Sequence, residues 1–261
     1  MSDMIYRPLI EGMTWSFSRV KCFEDCPYRW YMKYICDLPE EPRFYSSYGS
    51  FMHKLLESFY SGNVRKEDLP ARFLCGFSEN VQGDRPSEKI VSDYIDQGLS
   101  YLKSFIPLDM NVLAVEKRFD FEIGGVPFVG YADLIGEKNG EIYVVDHKSK
   151  ALSKRSGRSK PTKNDEEIDL TLRQLYIYAD AVRQEYGSLP SYLCINCFRN
   201  GNVIVEPFDR KAYEETLSWA KRSVESIMDE NDFHPWIEFF QCKYLCGLSD
   251  ECCYWKEGGG S

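Results

Sequence analysis

The chain has 261 residues, ten of them cysteine, and a net charge of −9. Its composition is that of a globular protein with a sizeable core, and its length suits one large domain. The negative balance argues against a protein that coats nucleic acid non-specifically, and no apolar run approaches the ~20 residues of a membrane span.

No secretory h-region opens the sequence, which points to the cytoplasm. After a loose start, Thr14 to Ile35 is predicted helical, with Ser16 or Ser18 as N-cap. Cys26-Pro27 breaks it, and Pro27 opens a second helix at its first position. Phe51, Leu55 and Phe59, with Met52 and Leu56, mark a helix from Tyr48 to Tyr60. Residues 62–87 read as irregular and polar. Glu88 to Phe105 reads as a helix closed by Pro107.

The period then changes to two. Val112 to Ile123 alternates, Gly124-Gly125 is a hairpin signal, and Val126 to Ile135 is the return strand. A turn over residues 138–141 leads to a third strand, Ile142 to Lys148, apolar enough to be covered on both faces. Residues 149–167 read as a flexible loop carrying Lys150, Lys154, Arg155, Arg158, Lys160 and Lys163. A helix from Ile168 to Tyr186, strands at Ser191–Phe198 and Val203–Pro207, and a long helix from Asp209 to Asp229 follow. The tail from Asp232 to Trp255 is short and rich in cysteine. Gly258-Gly259-Gly260-Ser261 reads as an expression scar. The expected fold is α/β. A helical N-terminal arm (14–106) precedes a central mixed sheet with flanking helices (112–208). A final helix and Cys-rich appendage (209–257) complete a single domain.

Asp146 and Lys148 are two apart on one strand and share a face. Asp133, placed at the end of the preceding strand and joined by a turn of about six residues, lies near them. Two carboxylates and a lysine converging at strand ends repel or lose hydration unless a cation joins them. Oxygen ligands suit Mg²⁺ or Mn²⁺. Glu116 is either a further supporting carboxylate or a solvent-facing residue. The basic loop is either a solvated linker or a guide for DNA phosphates.

Gly130-x-x-Asp133 followed by Asp146-His147-Lys148-Ser149 resembles the core of the PD-(D/E)XK superfamily, in particular RecB-like and phage exonucleases. Gly49-x-x-x-His53 resembles that family's metal-binding histidine. Gln174-x-x-x-Tyr178 resembles its glutamine–tyrosine motif, and Cys26-Pro27 resembles the start of its iron–sulfur subgroup, which includes AddB-type and CRISPR spacer-acquisition nucleases. The resemblance spans most of residues 14–255. It implies a restriction-endonuclease-like sheet and a Mg²⁺- or Mn²⁺-dependent deoxyribonuclease, an exonuclease on single-stranded or frayed DNA ends. Repair, recombination and CRISPR adaptation are the processes such enzymes serve. Asp133, Asp146, His53 and the backbone carbonyl of His147 would hold the metal. Lys148 would position water, and Gln174 and Tyr178 would contact Lys148 or DNA.

Cys242, Cys246, Cys252 and Cys253 fall within twelve residues, too dense for ordinary buried thiols. Four thiolates suit Zn²⁺ or a 4Fe–4S cluster. Cys22 and Cys26 with Cys242 and Cys246 fit zinc-ribbon spacing. The resemblance instead implies a 4Fe–4S cluster on Cys26, Cys242, Cys246 and Cys252, with Cys253 as the competing last ligand. A catalytically silent nucleic-acid-binding module and a zinc-stabilised interaction module are the alternatives to an enzyme.

Overall fold

The computed structural model describes residues 5–258, so the last three residues of the expected scar, 259–261, lie outside the described part. Local chemistry sets the first boundaries. A short turn, α1 (Arg7–Ile10), precedes α2 (Phe17–Asp25), whose N-cap Ser16 accepts from the Arg19 N–H at 3.1 Å. Cys26 is extended and ends α2, and α3 (Pro27–Tyr34) begins with proline at the position that needs no N–H. α4 (Phe44–Tyr60), α5 (Leu69–Asn80) and α6 (Glu88–Ser104) follow.

α5 corrects the irregular reading of residues 62–87. Leu69, Phe73 and Phe77 recur every fourth residue and are buried against α4 and α6, so a helix hides the rings of an otherwise polar segment.

β1 (Asn111–Ile123), β2 (Val126–Lys138), β3 (Glu141–Lys148), β4 (Tyr192–Cys197) and β5 (Asn202–Pro207) form one sheet in chain order. All neighbours are antiparallel except β3 and β4. A parallel pair needs a crossover, supplied by α7 (Lys163–Tyr186). α7 starts five residues earlier than expected. Thr162 and Asp165 form a capping box, each side chain accepting from the other's backbone N–H. α8 (Arg210–Met228) packs on α7, and the tail ends in α9 (Cys253–Gly258).

Val144 and Val145 face opposite sides of β3 and both are fully buried, as expected for a strand covered twice. Val144 joins the main core under α7 and α8, and Val145 joins Leu134 and Cys194 beneath Tyr60 and Met110. The helical arm is two packings. Trp30 of α3 enters the main core, while α4, α5 and α6 close around their own core with Phe198. Among the described residues no helix is long and apolar enough to cross a membrane.

Candidate active site

Strand register gathers the acids. Val115 pairs with Leu134 and Lys117 with Ala132, which sets Glu116 opposite Asp133. Leu134 pairs with Val145, and one step on, the His147 N–H donates to Asp133 Oδ2 at 2.6 Å. Asp133 therefore sits mid-strand, not at a strand end: β2 runs on to Lys138, and the turn is only Asn139-Gly140. Extending both strands equally leaves the same residues side by side.

α4 brings His53 to the cluster, its Nδ1 3.4 Å from Asp133 Oδ2. His53, Glu116 and Asp133 each offer a ligand atom within 4.8 Å of the other two. Glu116 has φ +47° in the middle of β1, a left-handed conformation costly for a residue with a Cβ. Nothing in the local sequence announces this kink, so the sequence left the direction of Glu116 open.

Asp146 is almost wholly buried, and Lys148 reaches across it. Lys148 Nζ donates to Asp146 Oδ1 at 3.0 Å. It lies 2.8 Å from Oδ2 but out of line, which leaves Oδ2 buried without a directed donor. Nζ also donates to Gln174 Oε1 at 3.0 Å, and Gln174 Nε2 donates to the Tyr178 hydroxyl at 3.3 Å. A Cβ on Gly130 would stand 2.1 Å from the Tyr178 ring, so only glycine lets α7 seat this tyrosine against β2. The glycine–aspartate and glutamine–tyrosine pairs are thus parts of one contact. His147 turns its side chain away. Its ring accepts from Asn196 Nδ2 through Nδ1 at 2.9 Å and stacks on Tyr60. Burial holds its pKa near 4, so the ring is neutral.

Burial and the neighbouring Asp133 push Glu116 up to about 7, against the pull of His53. Burial also raises Asp146 to about 6, with Lys148 opposing and Asp133 adding to the rise. Burial works against the charge on Lys148 and on His53, but Asp146 and Asp133 respectively outweigh it and hold both pKa values above their ordinary range. Asp133 is lowered: burial opposes its charge, but His53 and the His147 N–H prevail. Crowded carboxylates and an imidazole are a donor set that fits a divalent cation. The cluster opens on one side to a groove of about 520 Å³ lined by Tyr45, Lys54 and Lys148. On the other it opens to a groove of about 560 Å³ between β2 and the α2–α3 arm.

The sequence matches the PD-(D/E)XK nuclease superfamily over residues 14–253. The chain belongs to that superfamily. No curated protein sequence matches it. A solved structure from Eubacterium rectale, provisionally assigned as an exonuclease, covers 100% of this chain and 99% of its own. At 12% identity and a TM-score of 0.56 it shares the fold. The solved structure of SSO0001 is 19% identical over 78% of this chain and 95% of its own, with a TM-score of 0.32, too low to bear on the argument.

In this PD-(D/E)XK chain the cysteines form a second cluster. Cys26, Cys242, Cys246 and Cys252 line one small pocket with Met32 and Trp236. Cys253 is exposed and lies 3.6 Å from the Tyr28 hydroxyl. Cys22 belongs to the main core. Cys75 is exposed on α5 and Cys36 is exposed after α3, while Cys194 and Cys197 are buried in β4. Burial raises the thiol pKa of Cys242, Cys246 and Cys252. Of the basic loop, Lys150 pairs with Glu167, and Arg155 with Asp169 and Glu206; Lys154, Arg158 and Lys160 are exposed.

Proposed function

We propose that the protein is a Mg²⁺- or Mn²⁺-dependent deoxyribonuclease that hydrolyses phosphodiester bonds, acting as an exonuclease on single-stranded or frayed DNA ends. The observation that carries the reading is the meeting of His53, Glu116 and Asp133 within 4.8 Å, beside an Asp146 oxygen with no directed donor. His53, Asp133, Asp146 and the His147 carbonyl would hold the cation, with Glu116 as a further ligand. When bound, such an ion polarises a phosphoryl oxygen and lowers the pKa of a water.

The chain's own residues do the rest. Lys148, kept cationic by Asp146, orients the attacking water and stabilises the charge that builds on the phosphorus oxygens. Gln174 keeps Lys148 in place, and Tyr178 clamps α7 to the strand that carries Asp133. A silent binding module would have no physical reason to keep this repulsive carboxylate group. Cys26, Cys242, Cys246 and Cys252 would hold a 4Fe–4S cluster. Zinc is the alternative occupant of the same four thiols.

The test is incubation of end-labelled linear and circular DNA with Mn²⁺ or with EDTA. Mn²⁺-dependent loss of linear strands, absent in EDTA and in Asp146→Ala, is expected. Cleavage that persists in EDTA or in Asp146→Ala would refute the mechanism.

A further inference from the structure

The groove between β2 and the arm takes no part in the chemistry above, yet it opens directly onto Asp133, Gln174 and Tyr178. Tyr131 stands in it. Tyr131 and Asp133 are two residues apart on β2 and both line the groove, a backbone separation of roughly 6.5 Å, about one nucleotide of an extended strand. Gly130 and Ala132 on either side are buried, while Tyr131 is 49% exposed. The core therefore does not need this ring. Arg118, its cross-strand neighbour on β1, pairs with Asp120 and leaves the ring free to meet a ligand.

The facing wall is basic and aromatic. Lys21, Arg29 and Lys33 line it with Tyr34, and the Arg19 guanidinium lies 4.5 Å over the Tyr34 ring. Asp25 pairs with Lys21, and Glu40 takes both Arg29 and Lys33. Counting Arg19, Lys21, Arg29, Lys33 and Arg118 against Asp25, Glu40, Asp120 and Asp133, five cations meet four anions. The groove thus carries no negative excess in a chain of net charge −9. An exposed ring flanked by cations is how proteins hold single strands without reading sequence: the ring stacks on a base and the cations meet phosphates.

We propose that this groove is a single-strand subsite that holds the nucleotide next to the scissile phosphate, with Tyr131 stacking on its base and Lys21 and Lys33 meeting its backbone. It rests on the nuclease reading and adds to it the side on which the strand lies and the residue that grips it. Duplex DNA cannot offer a base face to Tyr131, so the subsite favours unpaired strands through stacking.

The test uses the full chain. Binding of 5′-fluorescein oligo(dT) is read by anisotropy in EDTA, and its cleavage is followed in Mn²⁺. Tyr131→Ala is expected to weaken binding about 5- to 150-fold, the range for one stacked base, and to raise KM with kcat unchanged. Tyr131→Trp and Tyr131→Phe restore both. Glu40 keeps Arg29 when Lys33 turns to a phosphate, so Lys33→Gln lowers the log–log salt slope by up to about 0.7, one phosphate contact on a single strand. Wild-type binding and KM in Tyr131→Ala would overturn the subsite. So would a fall in kcat alone that tryptophan does not rescue, since that marks a structural role in placing Asp133. A wild type that neither binds nor cuts oligo(dT) would remove the nuclease reading as well, whereas one that cuts it equally with and without Tyr131 removes only the subsite.

Discussion

Two places in the chain bring like groups face to face. Glu116, Asp133 and Asp146 stand on three adjacent strands whose central residues Leu134, Ile135, Val144 and Val145 are fully buried, on both faces of the sheet. Cys26, Cys242, Cys246 and Cys252 stand on a helix cap and an irregular tail whose Trp236, Ile237, Phe239 and Phe240 are exposed. The first cluster is imposed by a scaffold strong enough to hold repelling charges in place, so it exists before any ion arrives. The second packs only Cys246 and Cys252, with Met32 and Leu248, into a small core, and metal binding would add to its folding. Removing a ligand should therefore stop chemistry at the first site and loosen structure at the second.

The largest effect belongs to the first site. Asp133→Ala, Asp146→Ala and Lys148→Ala should each lower cleavage of linear DNA by at least about 10³-fold, while circular dichroism and melting stay close to wild type. Wild-type turnover in any of the three would break the assignment. Unfolding of all three would break the comparison, because the sheet would then depend on the cluster it is said to impose.

At the second site the expected effect is on order. Anaerobically purified protein should be brown and contain iron and sulfide. Cys26→Ala should lose the colour and expose both chain ends to protease, while Cys75→Ala does neither. The structure sharpens where cuts will fall. Arg43 is buried and donates to the Cys246 carbonyl at 2.9 Å and to Ser249 Oγ at 2.6 Å. Gly247 fits against the Glu41 carbonyl, where a Cβ would stand at 2.6 Å. Residues 246–250 are thus tied down without metal, and early cuts should fall in 232–245. Zinc in place of iron would favour the ribbon reading, and a tail that resists protease with no metal would show that packing alone holds it.

The same contrast separates what the sequence made legible from what it did not. Strands β1 to β5 and the Asp146–Lys148 pair follow from alternation and parity, rules that act within a few residues. The α2–α3 break at Cys26-Pro27 is equally local. α5 went unread although Leu69, Phe73 and Phe77 carry helical spacing, because Arg65, Glu67, Asp68, Glu79 and Asn80 around them dominate the composition. The early start of α7 was available in Thr162 and Asp165, whose spacing is that of a capping box. Glu116 stands open between two readings in the sequence: its place in the cluster goes with a left-handed backbone in mid-strand, which no side-chain pattern encodes. The tie between Gly130 and Tyr178 was also invisible, since it joins residues 48 positions apart.

A smaller effect tests the loop after β3. Neutralising Lys154, Arg158 and Lys160 should flatten the salt dependence of DNA binding, by about 0.7–0.9 in log–log slope for every phosphate these side chains neutralise in the wild type. Arg155 is the control. Its guanidinium already serves Asp169 and Glu206, so Arg155→Gln should cost stability more than slope. An unchanged slope in the triple variant would make the loop a solvated linker.

The smallest effect is a pH-dependent melting shift, and its sign follows from the carboxylates. Glu116 and Asp146 are raised to about 7 and about 6, so the folded chain binds their protons more tightly than the unfolded chain does. Their contribution to stability is full below the unfolded value near 4 and is lost as pH rises through about 6 to 7. His53, raised by Asp133, acts in the same sense: its contribution is lost as pH rises through its folded value. Asp133 is lowered, so its contribution disappears only at acid pH, outside this window. His147, lowered to about 4, opposes them up to the ordinary histidine value near 6.5, but one imidazole is outweighed by Glu116, Asp146 and His53 together. Metal-free protein should then melt lower at pH 8 than at pH 5.5. A divalent cation competes with those protons for the same oxygens, so Mn²⁺ should raise the melting temperature more at pH 8. Each tenfold gain in affinity, about 1.4 kcal/mol, adds about 3–5 °C for a chain of this size. Glu116→Gln should shrink that pH-dependent gain while leaving the tail's protease pattern untouched. Equal Mn²⁺ shifts at both pH values, in wild type and variant alike, would mean that the ion does not bind where the carboxylates meet.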